Sequence, residues 1–521
     1  MSRCVCQAAA IALTGLAGTT VMVEAAVSQQ LPGMVIIGLP DASLSEAKQR
    51  VRTATAQAGL PLSDRLVTIN LAPAALPKQG SSFDLAIALA ALAASQHLPI
   101  TRLAETAHIG ELGLDGSVRR PVGLLSAVIA AKELGFTRVM VPHEGGAEAR
   151  LVHGIEVIEV GDLSSAVAWH RGDPFDPRES SQVSTSRKSA GSEPARHADT
   201  PDMADVVGQP EAVEAMVIAA AGRHHVSLLG PPGAGKTLLA ERLPTVLPDL
   251  SPSESLTVSS IASLDGSQVN TLITRPPFVR AHHTATSAAI SGSGDSRGIR
   301  PGALTRACHG VLFLDEAPEF GRKILDNLRQ PLESGTIDIM RAHVRTTLPA
   351  RIQLVLAANP CPCGNAGAPE TAPQCRCTPA TRVRYMQRIS GPLNDRIDLR
   401  LTVRRVANAQ YQEATGQSRT TSSELLDRVR EARARASARL SHTPWSVNSE
   451  VTGDWLRGPE LRLPKDDTFI IDRALSLGAL TMRGYDRTLR LAWSIADLAG
   501  RNRPGRRELA QALELRGGAT V

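Results

Sequence analysis

The chain has 521 residues, 42% of them hydrophobic, which is enough for several separate cores, and three domains are expected. It has no run of eighteen apolar residues, so no membrane-spanning helix is expected, and with aromatics at 3% the cores must be built from Ala, Val, Leu and Ile. The net charge is +6 and only seven of the 57 basic residues are Lys; this mild, Arg-based surplus permits nucleic-acid binding without requiring it.

Residues 1–172 alternate short β-like and helical runs. Ala8 to Val23 has some of the character of a signal peptide, but Thr19–Glu24 alternates like a strand and continues into more strand-like sequence, so the segment is read as part of the fold. Val35–Ile37, Val67–Leu71, Val139–Pro142 and Ile155–Val160 predict strands; 43–58 and Phe83–Ala94 predict helices. The pattern is that of an α/β domain. Two stretches, Asn70-Leu71-Ala72-Pro73-Ala74-Ala75-Leu76-Pro77-Lys78-Gln79-Gly80-Ser81-Ser82-Phe83-Asp84 and Ile109-Gly110-Glu111-Leu112-Gly113-Leu114-Asp115-Gly116, resemble the proteolytic domain of Lon-type proteases. The resemblance implies a nucleophilic Ser near Ser82 and a Lys base further on. Leu125 stands where that Lys should be. A Ser hydroxyl without a positioned base is a poor nucleophile, so an inactive Lon-like domain is expected. Residues 173–201, rich in Ser, Pro, Arg, Asp and Glu, predict a flexible linker.

The next segment, 202–405, carries the strongest signal. Gly230-Pro231-Pro232-Gly233-Ala234-Gly235-Lys236-Thr237 reads G-x-x-x-x-G-K-T, between a strand-like run (Val226–Leu229) and a helix-compatible one (Leu238–Leu243). That is the context of a phosphate-binding loop, in which backbone N–H groups and a helix N-terminus cradle anionic phosphates. Lys236 would reach the β- and γ-phosphates of ATP, and Thr237 would ligate Mg²⁺. Val311-Leu312-Phe313-Leu314-Asp315-Glu316 is a buried parallel strand ending in two carboxylates. Asp315 is expected in the Mg²⁺ shell and Glu316 as the group that polarises the attacking water. A further apolar strand, Ile352–Ala358, ends at Asn359, which is placed to orient that water. His282-His283 lacks a carboxylate or Cys at ligand spacing, so a metal reading there is weak.

Cys361-Pro362-Cys363 and Cys375-Arg376-Cys377 put four of the seven cysteines within seventeen residues. Such clustering, in an expected cytoplasmic protein, points to metal rather than to disulfides. Four thiolates suit a structural Zn²⁺; an Fe–S cluster or no metal are the alternatives. Residues 406–521 predict long helices (422–440, 469–477, 483–499) forming a lid.

Around these elements the chain resembles Mg-chelatase-like AAA+ ATPases of the ComM/YifB family. The resemblance rests on Asp205-Val206-Val207-Gly208-Gln209, on Gly391-Pro392-Leu393-Asn394-Asp395-Arg396-Ile397-Asp398-Leu399, on the Cys361-Pro362-Cys363-Gly364 element and on the Arg487-to-Gly500 helix. It implies a Lon-like domain, an AAA+ core and a helical lid. It implies Arg396 as an arginine finger acting in trans, Arg483 as a sensor touching the γ-phosphate, and hence a homo-hexameric ring. Arg487 and Arg490 are weaker candidates that solvation would also explain. An insertion over about 276–300 and a hairpin over 335–351 would project into the ring channel, with Arg341, His343 and Arg345 on DNA backbone. The implied activity is an ATP-driven DNA helicase promoting branch migration in homologous recombination and natural transformation, with recombination proteins as partners. A porphyrin metal-insertion motor and an ATP-dependent protease are the alternatives.

Overall fold

The structure, a computed structural model, describes residues 5–38, 41–62, 64–73, 81–176, 201–295, 298–341, 344–366, 372–406 and 419–517. The expected linker falls mostly outside the described residues, as do His343 and residues 74–80 of the Lon-like stretch.

The N-terminal strands are β1 (Cys6–Thr14), β2 (Ala17–Ser28), β3 (Gly33–Ile37), β4 (Leu66–Ala72), β5 (Thr106–His108), a small hairpin β6 (Glu111–Leu112) and β7 (Val118–Arg119), then β8 (Arg138–Pro142) and β9 (Glu156–Val160). Seven of them form one mixed sheet in the order β3-β4-β2-β1-β5-β8-β9. The stretch with signal-peptide character is β1 and the first half of β2, a nine-pair antiparallel ladder from Cys6–Ala25 to Thr14–Ala17. Its Ala8, Ala10 and Ala12 are buried, and these small side chains let the Ala- and Leu-rich helix Asp84–Ala94 lie close to the strands. That helix is buried on every face, which is why its sequence shows no amphipathic stripe.

The second sheet is entirely parallel. Its strands are β10 (Val226–Leu229), β11 (Phe278–Ala281), β14 (Val311–Leu314), β17 (Gln353–Ala358) and β18 (Leu399–Thr402), in the order β11-β14-β17-β10-β18. Two hairpins leave it, β12–β13 (Ser293–Asp295, Gly298–Arg300) and β15–β16 (Thr336–Arg341, Val344–Pro349). The insertion expected over 276–300 is therefore shorter than its sequence bounds. Phe278–Ala281 is an edge strand of the core, paired with β14, and its brevity and its Arg280 hid it.

The C-terminal helices Ser422–Arg439, Lys465–Ser476, Met482–Leu498 and Arg506–Leu515 pack onto this sheet. One apolar cluster takes in Val226, Phe313 and Val355 of the strands together with Val429, Leu491 and Trp493 of the helices. The N-terminal domain also touches the core directly. Gly123 N–H donates to Ser263 O at 3.0 Å, Arg120 donates to Ser267 O at 2.7 Å, and Thr346 of β16 donates to Thr14 O at 3.1 Å. Gly15 (φ +71°) makes that last approach possible, because a Cβ there would lie 2.6 Å from Thr346 Oγ1.

Candidate nucleotide site and its arginine-lined counterpart

In a parallel sheet all strands deliver their following loops to one edge, and chemistry gathers there. Here β10, β14 and β17 deliver the phosphate loop, Asp315-Glu316 and Asn359 to the same edge. The loop 230–235 runs from β10 into the helix Lys236–Arg242. Gly230 is required by close packing, since a Cβ would meet Val403 O at 2.2 Å; Gly233 and Gly235 are required by backbone, with φ of +75° and +90°. Lys236 is buried at the centre, and its Nζ donates to Gly230 O (2.7 Å), Pro231 O (2.9 Å) and Asn359 Oδ1 (3.1 Å). Burial pulls the amine below its ordinary pKa, against the opposing pull of Asp315 and Glu316. Thr237 Oγ1 lies 3.3 Å from Asp315 Oδ2. A hydroxyl and a carboxylate oxygen side by side at the end of a phosphate loop fit the donor set of Mg²⁺. Gln209 braces the loop from outside, donating to Ala234 O and Arg404 O.

Two further residues enter this site that the sequence did not single out as its members. Arg280, on β11, donates to Asp315 Oδ2 at 2.7 Å and lies 3.4 Å from Glu241. His283 Nδ1 lies 3.3 Å from Glu316 Oε2, and its ring packs on that of His282 at 4.1 Å between centroids. Glu316 itself is half exposed and held at φ +53°, an uncommon conformation for a residue with a Cβ. The signal for Arg280 was available: an Arg in a short apolar run one strand away from an acidic strand end. The signal for His283 was not, because its partner is 33 residues away.

Arg396, Asp398 and Arg483 lie elsewhere. Leu399 pairs with Val226, the first residue of β10, so Arg396 sits at the sheet edge opposite the phosphate loop, about 13 Å of strand away. There a cavity of about 510 Å³ is lined by Arg396, Arg483, Arg487, Arg490, Asp398 and Glu333, among others. Arg396 is 8% exposed; it donates to Pro392 O at 2.7 Å and pairs with Glu333 at 2.5 Å. Arg483 is exposed at the start of its helix, capped by Thr481. Arg487 is not a solvated surface residue, as spacing alone allowed: its Nη1 meets the fully buried Asp398 at 2.5 Å. Burial alone would raise the Asp398 carboxyl, but Arg487 and the nearby imidazoles of His224 and His225 hold it well below the usual range. Arg490 donates to Val451 O.

The hairpin β15–β16 alternates as expected, with Ile337, Ile339 and Leu348 buried and Asp338, Met340 and Arg345 exposed. It lies against the first hairpin, where Gly292 (φ +97°) leaves room for Ile339. The side chain of Arg341, and all of His343, are outside the described residues.

The four cysteines come together. Their sulfurs lie within 4.8 Å of one another, with Cys361–Cys363 at 3.4 Å, Cys361–Cys375 at 3.8 Å and Cys363–Cys375 at 3.5 Å. A tetrahedral ZnS₄ site with 2.3 Å bonds has sulfur–sulfur edges of about 3.8 Å, so the residues fit the metal. The N–H of Asn365, with the neighbouring sulfurs, pulls the Cys363 thiol down to about 6, while, against a lowering bond from the Cys363 N–H, the sulfurs of Cys363 and Cys361 push Cys377 up to about 11, as thiols sharing one charge do.

In the N-terminal domain, Leu125 is fully buried among Ile109, Val128 and other apolar residues. The place that the resemblance assigns to a base is thus filled by core packing. Asp84, at the end of the same stretch, is buried and held by Arg50 through two hydrogen bonds of 2.6 and 3.2 Å. Among the described residues no helix is long and apolar enough to cross a membrane.

A parallel sheet in the order found here, with a phosphate loop, an acidic strand end and a polar strand tip on one edge and helices packed behind it, defines the AAA+ class of P-loop proteins. Comparison with known proteins narrows this. Residues 202–411 match the family described as magnesium chelatase, subunit ChlI; residues 23–145 match subunit ChlI of Mg-chelatase, and 419–516 its C-terminal part. A protein of Mycobacterium tuberculosis is 45% identical over 98% of both chains. Competence protein ComM of Haemophilus influenzae is 36% identical over 96% of this chain and 95% of its own, and YifB of Escherichia coli is 36% identical over 97% and 96%. The chain belongs to the Mg-chelatase-like ComM/YifB family.

Proposed function

We propose that this protein is an ATP-driven motor that assembles as a hexameric ring, translocates on DNA and promotes branch migration during homologous recombination, including the integration of transforming DNA. The observation that carries the reading is the division of one catalytic apparatus between opposite edges of the core sheet. Lys236, Thr237, Asp315, Glu316 and Asn359 share one edge; Arg396 and Arg483 share the other. Arg396, about 13 Å of strand away from its own phosphate loop, is read as serving a neighbour's, and a ring is a closed assembly that would give every site such a neighbour.

In this reading Lys236 leaves its loop carbonyls for the β- and γ-phosphates, while Thr237 and Asp315 hold Mg²⁺, which neutralises phosphate charge when bound. Glu316 turns from His283 to accept the proton of the attacking water, and Asn359 orients that water. Arg396 leaves Glu333 to stabilise charge on the neighbour's γ-phosphate. The exposed Arg345, with Arg341 and His343 close to it in sequence, contacts DNA phosphates and turns hydrolysis into movement. The kinship with a protein named for competence supports DNA as the partner over a porphyrin. The four cysteines hold a structural Zn²⁺, and metal analysis of the pure protein should find about one equivalent per chain; less than about half an equivalent overturns that part.

A synthetic four-way junction tests the whole. Purified protein with ATP and Mg²⁺ should move the branch point, and the junction should stimulate hydrolysis. Absence of both DNA binding and stimulation at moderate salt overturns the DNA-motor reading.

A further inference from the structure

The four-cysteine element is built against the phosphate loop. Cys361 follows Asn359 by two residues, and Asn359 Oδ1 accepts from Lys236. The turn carrying Cys363 closes by Gly364 N–H to Cys361 O at 2.9 Å and Ala366 N–H to Cys361 Sγ at 3.4 Å. Gly364 has φ +76°, and a Cβ on it would lie 2.6 Å from both Cδ and Cγ of Pro232 in the phosphate loop. On its carbonyl side Pro232 is held by Arg405, whose Nε and Nη2 donate to Pro232 O at 3.0 and 2.8 Å. The loop is therefore gripped at one residue by Arg405 and by the cysteine turn.

What keeps that turn in place is the meeting of the four sulfurs. Cys361 is buried, but Cys363 is exposed and Cys375 and Cys377 are partly so, and sulfur–sulfur contacts without a metal between them are weak. Arg382, on the helix that directly follows the second pair, donates to Cys377 O at 3.2 Å and to Cys375 Sγ at 3.4 Å, bonds local to that pair's own segment. A metal bound by all four sulfurs would convert two loosely held segments into one rigid element.

We propose that the metal-loaded four-cysteine element is a clamp on the phosphate loop, holding Gly364 against Pro232 and Asn359 against Lys236, so that metal occupancy and nucleotide affinity are thermodynamically coupled. The inference rests on the ATP and zinc readings above. Coupling of this kind is reciprocal: whatever factor zinc contributes to nucleotide affinity, nucleotide returns to zinc affinity.

The experiment uses the full-length protein. The dissociation constant of a fluorescent ADP analogue is measured on zinc-loaded and chelator-stripped protein, and zinc affinity is measured by competition with a chromogenic chelator with and without saturating ADP. Stripping should weaken ADP binding about tenfold, and ADP should tighten zinc by the same factor. Pro232→Ala, which removes the gripped ring, should leave zinc bound and bring both factors close to one. Circular dichroism monitors the fold. If stripping unfolds the chain, Cys377→Ser takes its place, weakening the site while keeping the buried Cys361. Equal ADP affinity with and without bound zinc overturns the clamp alone. Absence of any bound metal overturns the clamp and the zinc reading together. A loaded protein that fails to bind ADP overturns the ATP reading and the clamp with it.

Discussion

The two edges of the five-stranded sheet are built from the same kind of short apolar strand, yet they carry opposite chemistry. The edge after the strands gathers Lys236, Thr237, Asp315, Glu316 and Asn359; the edge before them gathers Arg396, Arg483, Arg487 and Arg490 around a cavity with Asp398 and Glu333. At the first edge backbone amides and one amine are arranged for an anion, with carboxylates for a cation. At the second a surplus of guanidinium groups is held by a few carboxylates. In the proposed reading neither edge holds a complete site for phosphoryl transfer, and one edge of each of two chains does. On that reading hydrolysis depends on assembly because half of the polar residues sit at the opposite end of the strands.

The strongest way to break this comparison is to cripple each edge separately. Arg396→Ala should lower hydrolysis by about 10³-fold with ADP affinity retained. Mixing it with Lys236→Ala should restore part of the activity, because wherever the phosphate loop of an Arg396→Ala subunit meets a Lys236→Ala neighbour, that neighbour's arginine edge is intact. Mixtures that stay inactive would show that both edges act within one chain. Glu316→Gln should cost about 10²- to 10³-fold in hydrolysis with nucleotide binding unchanged, as loss of a proton acceptor does; a loss of binding instead would give Glu316 a structural role. The smallest effect is expected at His283. Its pairing with Glu316 is partly exposed, so His283→Ala should raise basal hydrolysis only about two- to fivefold, by releasing the carboxylate. A fall would mean that the imidazole positions Glu316 rather than restraining it.

The phosphate loop was legible because its demands are local. Glycines at positive φ, a Lys and a Thr at fixed spacing, and a strand–helix boundary all lie within about a dozen residues. The acidic strand end and Asn359 were legible for a similar reason, as polar residues closing apolar runs. His283 was not, and Arg280 only as an Arg in a short apolar run: their roles exist only when β11 lies beside β14. Arg487 was ambiguous in the chain because a helical Arg is solvated by default; only the burial of Asp398, 89 residues earlier, makes it an internal partner.

By itself, then, the sequence determined the α/β class, the phosphate-loop motif and the presence of four clustered thiols, which follow from local pattern along the chain, and the likeness to AAA+ proteins, which rests on the resemblance of named motifs. The tertiary structure alone decided which sheet edge each charge occupies, that the four sulfurs converge, that Gly364 bears on Pro232, and that Leu125 fills the place of a base with core. Those are relations between residues far apart in sequence. They are set by strand order and by packing, which no local pattern encodes.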